Sequence, residues 1–369
     1  MAAAKTLERR LRSQGSPLTS STRSGGGVAP GVVYCIVIAV ASYTLWGLYK
    51  PVSPMMWAFV ISIAFANVFT LGQSLKTGVG FCSGQLLRLG VAVLGFVTSA
   101  LIWTRVGVGV LAAFIIIAAA LSLSLWLGAR MGLNHRLASL IGVGTAICGA
   151  SAIAALTPAI KAKEEESGLA VSGITLFGLI SMFLYPFLFM NTPVSALLGG
   201  SLDAYAIWVG AGVHETAQVI AAAGAVDASV VQAAMLIKSV RIFMIGPVVF
   251  LLAWYCSRCE KGVEGRASFA VPLFAVFFTV GSIICAFLDL NVGSLLSAGI
   301  DWVAVKGLLS GTILPFTFAT AFAGVGSKVS FHSILGLGAR PILVAAAVAV
   351  TAGLLAFLSA VLLIPLIAA

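Results

Sequence analysis

Apolar residues come in blocks along nearly the whole chain from residue 30 onward, separated by short polar breaks. Blocks of roughly 18 or more such residues exceed what a core helix uses and match the ~30 Å hydrocarbon layer of a bilayer. The pattern predicts about eleven of them. They fall near 30–49, 53–72, 79–102, 107–128, 138–160, 168–190, 202–224, 229–255, 269–288, 300–325 and 341–367. No stretch of about ten residues alternates with the period a membrane β-barrel needs. The expected fold class is therefore an all-α polytopic membrane protein whose short connections gather the helices into one bundle.

Two blocks break the pattern. Residues 138–160 hold Gly142, Gly144, Gly149 and Pro158, and residues 202–224 hold Gly210, Gly212, His214, Glu215 and Gln218. Helices so broken and polar are costly against lipid but tolerable where they line a cavity, so each block is expected to be a broken or re-entrant helix. The stretch IGVGTAICGASAIAA from Ile141 echoes VGAGVHETAQVIAAA from Val209, and LGFVTSALIWTRVGVGVL from Leu94 echoes AGVGSKVSFHSILGLGARPIL from Ala323. If the polar blocks are hairpins, the echoing pairs run in opposite directions. The chain then has two inverted halves, with the order of elements permuted in the second. Such halves meeting at broken helices are a secondary-transporter architecture. If the blocks cross the membrane fully, the inversion is lost.

Composition fits this picture. Hydrophobic residues make up 60% of the chain and charged residues 9%, too little charge to cover a soluble surface. The net charge of +10 invites a nucleic-acid reading, but most of the excess lies in the N-terminal tail and in short loops, where it reports topology. Lys5, Arg9, Arg10, Arg12 and Arg23 face only Glu8 in a Ser/Gly-rich opening. Residues 1–29 are read as a disordered basic cytoplasmic tail, and 30–369 as the transmembrane transporter domain. No signal-peptide cleavage pattern precedes the first span. Lys76, Arg130, Arg136, Arg258, Lys261, Arg266, Lys328 and Arg340 are assigned to cytoplasmic loops, and Trp46, Trp57, Trp103, Trp126, Trp254 and Trp302 to the aromatic belts. Cys256 and Cys259 form a lone C-x-x-C without the second ligand pair a zinc site needs, and no disulfide framework is expected.

Ionisable residues deep in apolar segments are the sharpest chemical signal, because each costs at least ~2.5 kcal/mol at the bilayer centre. Arg88, Glu215, Lys238 and Arg241 are such residues, whereas Lys306 lies near a segment end and can snorkel. Three cations against one acid leave a surplus that a dianion would balance. Lys238 and Arg241 share a helix face at i, i+3, and arginine offers a donor fork suited to oxyanions. Thr145, Cys148 and Ser151 follow at i, i+3, i+6 around Gly149, where free N–H groups of a broken helix would add an anion seat. The plainer reading of that block is close packing through small residues. His214 and Glu215 begin H-E-T-A-Q, in which Gln218 stands where a zinc protease needs its second histidine, so that motif fails. Gln218 is read as an amide donor to the substrate or as a helix-packing contact. A buried Glu beside a His suits proton uptake and release, since burial disfavours the charged form of each; a structural hydrogen-bonded pair is the alternative.

GTAICGASAIAA from Gly144, GVHETAQV from Gly212 and KSVRIFMIGP from Lys238 together resemble the signature regions of the sulfate exporter family of bacterial membrane proteins, and LLRLGVAVLGF from Leu86 is also similar. The resemblance spans roughly residues 30–367. It implies a multi-span transporter of sulfate or a sulfonate-type anion in the bacterial inner membrane, with a cytoplasmic N-terminus. Thr145 stands where the family pattern has serine, and AGVGSKV from Ala323 departs from it. The expected substrate ligands are Arg88, Thr145, Cys148, Ser151, Gln218, Lys238 and Arg241, with His214 and Glu215 coupling. No catalytic residue, metal or cofactor is expected, and no Walker motif suggests ATP-driven transport. Expected partners are a small anion and the lipid bilayer, not nucleic acid; a homo-oligomer is allowed. Two rivals stand beside this reading. One is a cation/proton exchanger built on Glu215. The other is a membrane-embedded enzyme, for which only His214 and Cys148 offer fragments of a catalytic set.

Overall fold

The computed structural model describes residues 27–49, 52–259, 273–331 and 338–368, all of them helix or connection. The basic tail, Lys261, Arg266 and the side chain of Cys259 lie outside the described residues. In chain order the principal helices are α1 (Val28–Leu48), α2 (Pro54–Val68), α3 (73–95), α4 (Gly109–Arg130), α5 (His135–Ala146), α6 (Ala150–Ala159), α7 (Glu164–Asn191), α8 (Leu202–Gly212), α9 (Thr216–Gly224), α10 (Ala228–Phe243), α11 (Ile245–Cys259), α12 (Leu273–Leu290), α13 (302–326) and α14 (Ala339–Ala368).

Eight spans among the described residues are long and apolar enough to cross a membrane, counting α10 and α11 as one continuous rod. They expose apolar side chains where a soluble protein would place charge. On α12 these are Phe277, Val280, Ile284 and Phe287, spaced as one helix face. Where helices meet, small residues let backbones touch: a Cβ on Gly31 of α1 would stand 2.7 Å from Gly78 Cα of α3.

The two polar blocks are re-entrant hairpins, not spans. Arg136, at the start of α5, donates to the carbonyl of Lys161 just beyond α6 at 3.0 Å, so the hairpin leaves on the side it entered. Both mouths are tied by Glu166, which accepts the Asn134 amide at 2.5 Å and the Lys163 backbone N–H at 2.7 Å. In the second hairpin the Tyr205 hydroxyl of α8 reaches the Ala222 carbonyl of α9 at 3.1 Å. Between them runs α7, whose 28 residues extend about 42 Å at 1.5 Å per residue. The hairpins therefore enter from opposite faces, and the two halves are inverted, as the sequence echoes suggest. The packing repeats as well: α4 lies along α5, and α14 lies along α8.

A second repeat becomes readable once the helices are placed. Both α3 and α13 carry a π-helical turn, at Cys82–Leu86 and at Leu309–Ile313. The sequences there, GFCSGQL from Gly80 and GLLSGTI from Gly307, match in their glycines and serine. A π turn advances the helix register and often marks a functional position. Only the first faces the polar interior described next.

A cavity between two hairpin tips

A hairpin of two half-helices places at its tip the carbonyl end of the first and the amide end of the second. Each tip thus carries partial charge of both signs, and the protein treats the two signs separately.

The carbonyl ends are satisfied by α10. Arg241 is fully buried. Its guanidinium donates to Ala146 O at 2.9 Å and Thr145 O at 2.6 Å on the first tip, and to Ala211 O at 2.5 Å and Val213 O at 3.1 Å on the second. Lys238, one turn earlier and equally buried, donates to Val213 O at 2.9 Å and to the His214 carbonyl. This corrects the expectation that Lys238 and Arg241 are anion ligands. The i, i+3 spacing does put them on one face, but that face meets backbone oxygens, and neither side chain lines the cavity. Thr145 is likewise buried outside the cavity wall, with its carbonyl on Arg241. His214 is fully buried, and neither ring nitrogen has a hydrogen-bond partner among the described residues.

The amide ends open onto a cavity of about 480 Å³. Ala150 and Ser151 of α6 and Thr216 and Ala217 of α9 line it, so the positive ends of both half-helices face the same space. Gly149 makes the first turn possible: its φ is 70°, in the left-handed region, and a Cβ there would stand 2.3 Å from Glu215 Cγ. The Glu215 side chain fills that space. Its carboxylate lies against the Ala150 N–H of the other half-helix. Gln218 is committed elsewhere, its amide accepting Glu215 N–H at 3.3 Å and donating to the Thr175 carbonyl of α7 at 3.5 Å. It packs α9 against α7 and is not among the residues lining the cavity, an arrangement that fits the helix-packing reading.

The remaining wall is polar and basic. Arg88 enters from α3, one turn beyond the π turn whose Ser83 and Gly84 also line the cavity. Cys148 lies at the first tip beside Ser151, which also lines the cavity. Lys328, expected in a cytoplasmic loop, lies in the segment after α13 and also lines the cavity. Asn67 pins that segment to α2, donating to Val329 O at 2.8 Å and accepting Phe331 N–H at 2.8 Å. Arg88 and Lys328 are close enough to repel one another, and neither has a carboxylate partner among the described residues. A shallower recess shares Ala150, Ala154 and Val171 and extends to Thr157, Glu164 and Ser167, so the cavity communicates with the face from which the first hairpin enters.

Of the residues singled out in the sequence, Arg88, Cys148, Ser151 and Glu215 converge on this cavity. Lys328 was missed because a lysine just past a span reads as a topology marker. The one mark on that segment was the departure of AGVGSKV from the pattern of the family it resembles.

A family model described as Conserved hypothetical protein 698 matches residues 30–345. A UPF0324 membrane protein of Pseudomonas aeruginosa is 31% identical over 325 residues, which cover 86% of this chain and 89% of the relative. Another, from Wolinella succinogenes, is 32% identical over 320 residues, 84% of this chain and 90% of the relative. A third, from Bacteroides thetaiotaomicron, is 31% identical over 300 residues, 79% and 84% of the two chains. These names describe membrane proteins and state no substrate. No solved structure matches the chain. Since the matched range takes in both hairpins, Arg241 and every residue of the cavity wall, this chain belongs to the Conserved hypothetical protein 698 family of membrane proteins.

Proposed function

We propose that this protein is a secondary transporter that carries a small anion, sulfate or a sulfonate-type relative, across the bacterial inner membrane. The observation that carries the reading is that Arg88 and Lys328, neither with a carboxylate partner among the described residues, line a cavity also lined by two half-helix N-termini. An oxyanion there would relieve the repulsion, accept backbone N–H groups and meet the hydroxyls of Ser151, Ser172 and Thr216. Inverted halves around such a cavity suit alternating access. The N-terminus lies in the cytoplasm on this reading, because Arg130, Arg136, Arg258 and Arg340 lie at helix ends on the face where the first hairpin enters.

The cation-exchanger rival needs an oxygen-lined cation site. That rival puts its ion on Glu215, but the Glu215 carboxylate lies at half-helix N-termini, and the backbone carbonyls of the tips that could complete a cation site are already used by Arg241 and Lys238. That observation favours the anion.

Purified protein in liposomes tests the proposal. Labelled sulfate, sulfite and a short alkylsulfonate are offered under an inward gradient, with and without Na⁺. The expected result is saturable uptake of at least one of them, independent of Na⁺. Arg88→Gln should weaken its apparent affinity roughly tenfold, the loss of one charge-assisted contact. Absence of flux for all three, or flux of Na⁺ instead, would overturn it.

A further inference from the structure

The amide ends of the half-helices are not vacant: a carboxylate already sits on them. Glu215, the residue that opens α9, lies in the wall of the cavity, and its side chain reaches across to the first tip, against Gly149 and the Ala150 N–H of α6. That amide is one an incoming oxyanion would use, and a single N–H cannot serve both: the Glu215 side chain already packs over Gly149, beside it, where a Cβ would collide with it.

The charged and titratable groups around Glu215 are few. From α10 comes Lys238, with Arg241 behind it, both bonded to tip carbonyls. The first tip presents Cys148, and His214 precedes Glu215 on the second. Arg88 faces the cavity from α3 and Lys328 from the segment after α13. At this level α7 presents only Ser172 and Thr175, which do not titrate in the ordinary range. Glu215 is thus the one carboxylate in the cavity wall among the described residues.

We infer that Glu215 is a tethered occupant of the anion seat, so that substrate and the ionised Glu215 carboxylate exclude one another and each anion binds together with one proton. This rests on the anion reading above and specifies its coupling. The balance is simple. A proton from solution adds to the Glu215 carboxylate, the neutral carboxyl releases the Ala150 N–H, and the anion takes it. The two lining cations then face the anion without a fixed acid between them. Movement of the loaded cavity carries both species in the same direction, making the protein a proton–anion symporter.

Linkage fixes the sign. If binding takes up one proton, affinity rises as pH falls, by as much as tenfold per pH unit while free Glu215 is ionised. The test measures binding of sulfate, sulfite and a short alkylsulfonate to the full-length protein in detergent between pH 5.5 and 8.5. The wild type should lose close to tenfold in affinity per unit of rising pH. Glu215→Gln should bind the same anion at least tenfold more tightly than wild type at pH 8.5, with a nearly flat profile. Glu215→Ala, which empties the seat, should act in the same sense, so a folding defect in one variant leaves the other informative. A wild-type profile that is flat, or a slope that survives in both variants, would sink the exclusion mechanism and leave the anion site standing. Failure of all three anions to bind any of the proteins would remove both together.

Discussion

Gly149 and Glu215 stand face to face where the two hairpin tips meet, the glutamate side chain lying in the space that a Cβ on the glycine would need. The pair brings together two half-helices that enter from opposite faces of the membrane. A glycine with φ of 70° and a carboxylate on two helix N-termini are therefore parts of one local solution. Gly149→Ala should be destabilising for two separable reasons, the left-handed backbone and the collision, with the backbone part costing about 1–2 kcal/mol. A thermal-melting double-mutant cycle with Glu215→Ala separates them. Additive losses across the cycle would mean the two residues do not compete for that space.

Arg241→Gln should damage the fold more than the site. The substitution leaves several buried carbonyls at both tips without donors and should cost on the order of 3–5 kcal/mol, the range for breaking a buried charged network. Arg241→Lys should not restore the loss, because one ammonium cannot span two tips. Melting temperature and the monodisperse yield in detergent are the readouts. A stable Arg241→Gln protein whose only defect is anion affinity would place the guanidinium in the binding site after all.

Lys328→Gln should have effects of opposite sign on stability and on binding. Removing one of two mutually repelling cations should raise the melting temperature of the anion-free protein slightly. The same change should weaken anion binding, roughly tenfold for one lost charged contact. Functional sites commonly carry such a cost to stability. Paired melting curves with and without saturating sulfate check both signs at once, and a fall in both would mean Lys328 is structural.

Topology is testable without any substrate. In a background lacking native cysteines, Lys163→Cys and Asp227→Cys lie at the mouths of the two hairpins and should be labelled by impermeant maleimide from opposite sides of the membrane. Labelling of both from one side would dissolve the inverted arrangement.

How much of this was written in the sequence differs from element to element. The spans were legible because twenty apolar residues in a row have few other uses, and the hairpins because glycine and hydroxyl residues interrupted two of those runs. Arg88, Cys148, Ser151 and Glu215 were legible as polar residues with no cheap place in lipid. The roles of Lys238 and Arg241 were not. Spacing gives the face of a helix but not what that face meets, and both polarities of a hairpin tip lie within a few ångströms of each other. Gln218 and Thr145 illustrate the same limit: each is polar and central, yet the Gln218 amide is taken up by backbone groups and Thr145 offers Arg241 only its carbonyl. The π turns were hidden because a change of helical register leaves no mark in hydropathy; only the repeated glycine–serine pattern at Gly80 and Gly307 betrays them.

The bonding of Arg241 also has a mechanical meaning. One guanidinium holds carbonyls from both tips, so pulling the tips apart would strip buried oxygens on both sides of the joint. It acts as a rivet. The two hairpins cannot open and close against each other like jaws, and any motion that exposes the cavity first to one face and then to the other has to carry both tips, with α10, as a single rigid body past the rest of the helices.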